Sequence, residues 1–347
     1  MLVAGAIPIS TATAQPIASR KRGATRINVR DHGARGSGRK DETKAFQAAI
    51  DALPEDGGTV IVPAGTYLID AIRSVRLRDH VHLAMDPGTR LIAKPNAAPR
   101  AYVLSILGNR EVEISGGRIV GDRDEHLGTK GEWGHGIMVR GAVGVTLRDL
   151  HISRCWGDGI SIGGISGPPS VPSRDVVVAD VVCDGNRRQG LTIGRSRQVR
   201  VVGSSFLNTG GTLPGAGIDV EPDAGDTARG ITISHCLVEG NQGPGIQLYH
   251  RVHDSLIRRC TIRRNRSAGI IIVGAAASVV ADNVIAANGQ RGLAIRGNSE
   301  DVLVSGNRFT GNATRIGASR RPDVKLRNLI VGDSASDIRI AADNTFD

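Results

Sequence analysis

Gly245-Ile246-Gln247-Leu248 and Gly269-Ile270-Ile271-Ile272 are two copies of one phrase, a glycine followed by alternating apolar residues. The phrase also stands at Gly136, Gly159, Gly190, Gly217 and Gly292, and the seven copies are separated by 23, 31, 27, 28, 24 and 23 residues. Successive side chains of a strand point to opposite faces. Ile137, Ile160, Leu191, Ile218, Ile246, Ile270 and Leu293 should therefore fill an interior, with Val139, Ile162, Ile193, Val220, Leu248, Ile272 and Ile295 two positions on. The residues between them, Met138, Ser161, Thr192, Asp219, Gln247, Ile271 and Ala294, should form a solvent-facing row. A period of this length fits one coil of a parallel β-helix. The predicted fold class is all-β, a parallel β-helix solenoid with a short N-terminal capping helix.

A second column fixes the register. Asn186, Asn241, Asn265 and Asn288 each lie four residues before a phrase glycine, Cys155 holds that place before Gly159, and Asn312 follows 24 residues after Asn288. Asparagine tolerates the left-handed conformation of a tight turn, and its amide can bond to the copy one coil above.

The 347 residues do not force two domains, because a solenoid grows by adding coils. Residues 20–347 read as one domain: a capping helix at 41–53, early coils at 57–130, glycine-phased coils at 131–312, and last turns with a C-terminal cap at 313–347. Residues 1–19 resemble the end of an export signal, with an apolar stretch and Ala12-Thr13-Ala14 before Gln15, so a secreted or periplasmic location is expected. No stretch reaches the roughly 18 to 20 apolar residues of a membrane span.

Hydrophobic residues make up 40% of the chain and aromatic residues 3%, which suits a narrow interior of stacked aliphatics and argues against a base-stacking nucleic-acid platform. The net charge of +10, part of it in Arg20, Lys21, Arg22, Arg26 and Arg30, points to a polyanionic partner or simply to a basic surface. No zinc spacing or helix-turn-helix pattern stands beside it. Cys236 and Cys260 should stack on adjacent coils, about 4.8 Å apart, as two small side chains or as a disulfide.

Residues 27–69 carry a family resemblance. Ile27-Asn28-Val29-Arg30-Asp31-His32-Gly33-Ala34, Asp41-Glu42-Thr43, the helical run that follows, and Gly57-Gly58-Thr59-Val60-Ile61-Val62-Pro63-Ala64-Gly65-Thr66-Tyr67 resemble the opening of the pectate-lyase-like right-handed β-helix superfamily. That superfamily includes polysaccharide lyases, polygalacturonase-type hydrolases and phage depolymerases. Asp41 is placed to cap a helix whose Ala45, Phe46, Ala49, Ile50 and Leu53 make one apolar face over the open end of the stack.

Function should sit where the repeat departs from its rule. The longer coils add residues 164–174, 208–216 and 222–229, which are expected to wall a cleft. Between them Gly217-Ile218-Asp219-Val220-Glu221-Pro222-Asp223 sets Asp219 and Glu221 on one face, and two such carboxylates need a cation, a basic neighbour or a shared proton. One coil later come Gln247, Tyr249, His250 and Arg251, and one coil earlier Thr192 and Arg195. A second constellation pairs Trp133 with Trp156 and His135 with Asp158, 23 residues apart, near Arg140. There the carboxylate is expected to raise the imidazole pKa, as a general base requires, or to lock neighbouring coils together.

The resemblance implies a polysaccharide-active enzyme, leaning to a lyase that cleaves an acidic, uronate-containing polymer by β-elimination. It implies Ca²⁺ on Asp219, Glu221 and Asp223, with Arg251, His250 or Arg195 near the reacting sugar. Hydrolysis or C5-epimerisation are the alternatives, as is a noncatalytic polysaccharide-binding β-helix. The polygalacturonase motifs are absent as a set, with Gly134-His135-Gly136 matching one fragment, and the Asp-Pro-His motif of alginate epimerases is missing. The candidate catalytic residues are Asp219, Glu221, Tyr249, His250, Arg251, His135 and Asp158. The candidate substrate contacts are Arg195, Thr192, Gln247, Arg140, Trp133 and Trp156.

Overall fold

A computed structural model describes residue 17, residues 19–316 and residues 323–347. The expected export segment lies almost wholly outside the described residues.

Each coil crosses three parallel sheets in turn. Trp133–Arg140, Val143–Arg148 and His151–Ser153 make one coil, and Ile160–Gly163 opens the next by pairing in parallel with Trp133–Arg140. The first sheet runs from Arg26–Asn28 to Ser336–Ile340 and the second from Ser37–Asp41 to Thr345–Phe346, each with 12 strands. The third has 10 strands between Val75–Arg76 and Leu329–Val331 and carries all seven glycine phrases. Its paired registers set Ile137 on Ile160, Leu191, Ile218, Ile246, Ile270 and Leu293 in one unbroken column. Both predicted interior columns are fully buried. Each such aliphatic side chain contributes about 1.5–3 kcal/mol by leaving water.

The asparagine column is a hydrogen-bond ladder. Asn265 Oδ1 accepts from the backbone N–H and the side-chain amide of Asn241, at 3.1 and 2.8 Å, and Asn265 Nδ2 donates to Asn288 Oδ1 at 3.0 Å. Asn288 passes the pattern to Asn312. The left-handed conformation does not fall on the asparagines, however. It falls on the residue before each of them: Gly185, Gly240, Arg264, Ala287 and Gly311, with φ between 54° and 73°. The bend is made first, and the asparagine is left free to turn its amide along the stack. A second ladder, Asn283 to Asn307 to Asn344, braces another corner.

Thr43–Asp51 forms the capping helix and buries Phe46, Ala49 and Ile50, with the Phe46 ring edge-on to Tyr67 at 5.2 Å. Asp41 is not its N-cap. Glu42 holds that position, and Asp41 Oδ1 instead accepts from the amide and hydroxyl of Thr43 just outside the helix. All four cysteines are buried free thiols. No helix among the described residues is long and apolar enough to cross a membrane. Three of the basic N-terminal residues have structural partners, among them Arg30, which donates to Ala64 O at 3.0 Å. Arg20 pairs with Asp175 and reaches Thr146, and Arg22 meets the buried Glu113 at 2.8 Å.

Candidate active site on the third sheet

Strand alternation puts Ser105, Met138, Ser161, Thr192, Asp219, Gln247 and Ile271 in one row on the outer face of the third sheet. The row is where the repeat placed it, but it is only partly open to solvent, with Thr192, Gln247 and Ile271 half-buried. Met138, Ser161 and Ala294 are buried, and Asp219 is 0% exposed beneath Gln189 and Gln247. On one side residues 164–172 double back, with Ile165 and Val171 pairing antiparallel before the first-sheet strand Ser173–Ala179, and residues 222–227 follow. On the other side Gly211 brings residues 208–216 against Arg187 and Arg123.

Beneath these walls lies a connected polar network. Asp158 is 0% exposed, and burial pushes its carboxyl up to about 6 against the pull of Arg188 and Thr192. Arg188 Nη1 donates to both oxygens of Asp158 at 3.3 Å, and Arg188 Nε lies 3.6 Å from Glu132. Thr192 Oγ1 donates to Asp158 Oδ2 at 2.9 Å. The amides of Gln189 and Gln247 both donate to Asp219, which burial and then the Glu221 carboxylate hold well above its ordinary range. Gln189 in turn accepts from Arg188. The two expected constellations, around Asp219 and around Asp158, are thus one network joined through Arg188, Gln189 and Thr192.

His135 departs from expectation. It is 2% exposed, and its Nδ1 accepts from the backbone N–H of Asp158 at 3.0 Å, which puts the ring proton on Nε2. Nδ1 lies 3.4 Å from Asp158 Oδ2, yet burial and the nearby Arg140, Arg188 and Arg100 hold the imidazole well below its ordinary pKa. Desolvation outweighs the carboxylate, so the ring is neutral and is a donor, not a general base. Tyr102 stacks parallel on it at 5.6 Å.

Arg140 lies close by and is largely buried. Its side-chain hydrogen bonds go to Ser161 Oγ at 3.3 Å and Val139 O at 3.5 Å. No carboxylate stands within ion-pair distance of it among the described residues. Burial holds the Arg140 pKa below the ordinary value, opposed by the Tyr102 phenol when ionised and by the carboxylates of Asp158 and Asp223. Burial raises the Tyr102 phenol, and Arg100 and Arg140 oppose that rise.

Other expected residues have structural roles. Arg195 does not line the floor: it pairs with Asp226 and donates to Ile165 O at 2.7 Å, tying both insertions of one wall together. Arg251 donates to Pro222 O at 2.8 Å, bracing the same loop. His250 packs edge-on to Tyr249 at 4.2 Å beside Gly274, and neither ring is hydrogen-bonded to Asp219. The tryptophans are not stacked on each other. Trp156 is sandwiched between His126 at 3.9 Å and Arg187 at 3.7 Å, while Trp133 is 39% exposed under Arg100. The expected Ca²⁺ site does not fit these residues. Both Asp219 oxygens are taken by amide donors, and no three acidic, His or Cys side chains among the described residues gather as metal ligands.

Sequence reasoning missed Tyr102, Arg188 and Gln189. Gln189 was within reach, since it stands 31 residues after Asp158, the same offset that pairs Ile160 with Leu191. Tyr102 pairs in register with His135, but its coil has no glycine phrase to reveal that.

Two family descriptions match parts of the chain: a right-handed β-helix region over residues 214–329, and the pectate-lyase-like rhamnogalacturonase A/epimerase family over residues 26–106. The uncharacterised protein YclG of Bacillus subtilis is 27% identical over 90% of this chain and 63% of its own length. The mannuronan C5-epimerase AlgE6 of Azotobacter vinelandii is 34% identical over 26% of this chain and 12% of its own length. The chain therefore spans less than two thirds of the curated relatives it matches. Among solved structures, the A-module of the epimerase AlgE4 of Azotobacter vinelandii superposes with a TM-score of 0.51 at 16% identity, over 91% of this chain and 100% of that one. PfbA, a surface adhesin of Streptococcus pneumoniae, superposes with a TM-score of 0.61 at 15% identity, over 92% of this chain and 93% of that one. Likenesses this distant speak for the fold alone.

Proposed function

The chain belongs to the pectate-lyase-like right-handed parallel β-helix superfamily, and on that footing we propose that it cleaves an acidic polysaccharide by β-elimination on the outer face of the third sheet. The observation that carries this reading is Arg140, a largely buried guanidinium with no ion-pair partner among the described residues. A buried charge is costly until it meets its opposite. A uronate carboxylate supplies one, and neutralising that carboxylate is what acidifies the sugar's C5 proton.

The neighbouring groups supply the rest of the step. Asp223, exposed on its loop and with a carboxylate whose charge favours the Arg140 cation, takes the C5 proton. The C5–H and C4–O bonds break, the C4–C5 double bond forms, and the Tyr102 phenol, held protonated by burial, gives its proton to the departing glycosidic oxygen. The neutral His135 offers its Nε2–H as a further donor. Asp158, Arg188, Gln189 and Asp219 lie beneath these groups and position them.

The test is incubation of the full chain with alginate, polygalacturonate and neutral glycans, following ultraviolet absorbance of unsaturated ends together with reducing ends. Unsaturated ends from uronate polymers alone, abolished by Tyr102→Phe and by Arg140→Ala, are expected. A second reading, hydrolysis, is favoured by the raised carboxyls of Asp158 and Asp219, which suit an acid catalyst. Reducing ends without unsaturation would establish it in place of elimination. Binding without any product would leave a noncatalytic β-helix.

A further inference from the structure

We infer that the outer face of the first sheet, a different side of the molecule, carries a second binding surface for a linear acidic polysaccharide laid along the stack axis. Its ligand class is shared with the proposed function, but its geometry does not rest on that reading.

The first sheet sets Arg174 opposite Arg197, Arg197 opposite Arg229, and Arg229 opposite His253 on four successive coils. Arg200 stands three residues from Arg197 on the same strand, Ser196–Val202. All four arginines are exposed. Like charges directly opposite each other on neighbouring strands repel, and adjacent coils are only about 4.8 Å apart.

Arg90 and Arg118 are likewise opposite each other on the second sheet, while several other exposed arginines have acids of their own. Arg154 has Asp124, Arg339 has Asp301, and Arg263 and Arg264 share Glu239. In the column, Arg229 alone has one, Asp254 at 2.9 Å, and the nearby Asp175 is taken by Arg20. Arg174, Arg197 and Arg200 have no acidic or hydrogen-bonding side-chain partner among the described residues. The chain thus leaves a row of guanidiniums at strand spacing with its counter-charge missing.

A linear polyuronate carries one carboxylate per pyranose, a repeat close in length to the strand spacing, so each sugar can meet one coil. Planar guanidiniums also suit carboxylates bidentately. A nucleic acid would match the charge, but the column holds no Phe, Tyr or Trp ring on which bases could stack. Bound here, the polymer is held by one face while the third sheet is left free.

The experiment uses the full chain and measures Kd for alginate and polygalacturonate by affinity electrophoresis across a salt series, with dextran and duplex DNA for comparison. The variant Arg174→Ala/Arg197→Ala/Arg200→Ala is expected to weaken polyuronate binding about tenfold or more at low salt and to lower the slope of log Kd against log salt by about two. The triple Lys variant should retain most of the binding. Turnover of a short oligouronate should be unchanged, so failure of the proposed function and failure of this surface read out separately. Unchanged binding in the Ala variant overturns the inference. So does an equal loss from Arg264→Ala/Arg266→Ala/Arg315→Ala, which would mean that net charge alone matters. Tighter binding of DNA than of polyuronate, lost in the same variant, would reassign the surface to nucleic acid and equally overturn it.

Discussion

The Arg140 guanidinium lies in space that Gly163 leaves empty, for a Cβ at Gly163 would sit 2.4 Å from Arg140 Nη1 and 3.0 Å from its Cζ. Gly163 is the residue paired with Arg140 across the third sheet, and its φ lies outside the left-handed region that resists other side chains. Gly163→Ala therefore pushes the guanidinium aside without straining the backbone. A displacement on the order of 1 Å in a positioning group costs about 100-fold. A fall of that size in kcat/KM on a uronate polymer is expected, with the thermal midpoint nearly unchanged. A variant as active as the parent would remove Arg140 from the reacting sugar.

Asp158 makes stability depend on pH in a defined direction. Its folded carboxyl titrates at about 6, above its ordinary 3.8, so the folded state holds the proton that the unfolded state has released. Below about pH 4 both states are protonated and nothing is lost. As pH rises towards 6 the folded state is progressively penalised, and the penalty is complete above that. A rise of this size in a buried carboxyl corresponds to about 3 kcal/mol. Chemical denaturation across this range should show wild-type stability falling, with a shallower fall in Asp158→Asn. Asp219 acts in the same direction, so some slope remains.

Arg195 holds a wall and not a sugar. Arg195→Ala leaves the carboxylate of Asp226 buried without its partner and frees the carbonyl of Ile165. Breaking such a pair from one side costs about 3–5 kcal/mol, here spent locally on opening the two insertions. Limited proteolysis should cut within residues 164–172 and 222–227 while far-ultraviolet circular dichroism stays native. Uncut loops would show that Arg195 is not their tie.

Asn265→Ala tests the ladder. It removes an acceptor for two donors of Asn241 and a donor to Val238 O and Asn288 Oδ1, all buried. At about 1–3 kcal/mol for each buried group left unpaired, a loss of at least about 3 kcal/mol is expected in denaturant unfolding. Asn265→Asp should cost comparably, since it keeps the acceptor and loses the donor.

The stack was legible because its rule is repeated. Seven glycine phrases and one asparagine column were enough to set the interior residues of the seven glycine-phased strands of the third sheet. The row Thr192, Asp219, Gln247 was legible for the same reason. Exposure was not, since Asp219 lies beneath Gln189 and Gln247, and no repeat dictates how those side chains turn. The state of His135 was misread because pairing by offset brings it to Asp158 correctly but says nothing of the surrounding arginines or of the amide that occupies Nδ1. Trp133 and Trp156 share an offset of 23 residues, yet Trp133 lies in the strand ahead of its phrase and Trp156 at a corner, where its side chain lies against Gly134.

The asparagine ladder also gives the molecule a unit of length. Each rung accepts from the copy on one side and donates to the copy on the other through the same atoms, so a duplicated or deleted coil meets its new neighbours as the old one did. The stack between Asn241 and Asn312 can thereby be lengthened or shortened by whole steps, a quantity that gene duplication can adjust without disturbing the coils around Asp158 and Asp219.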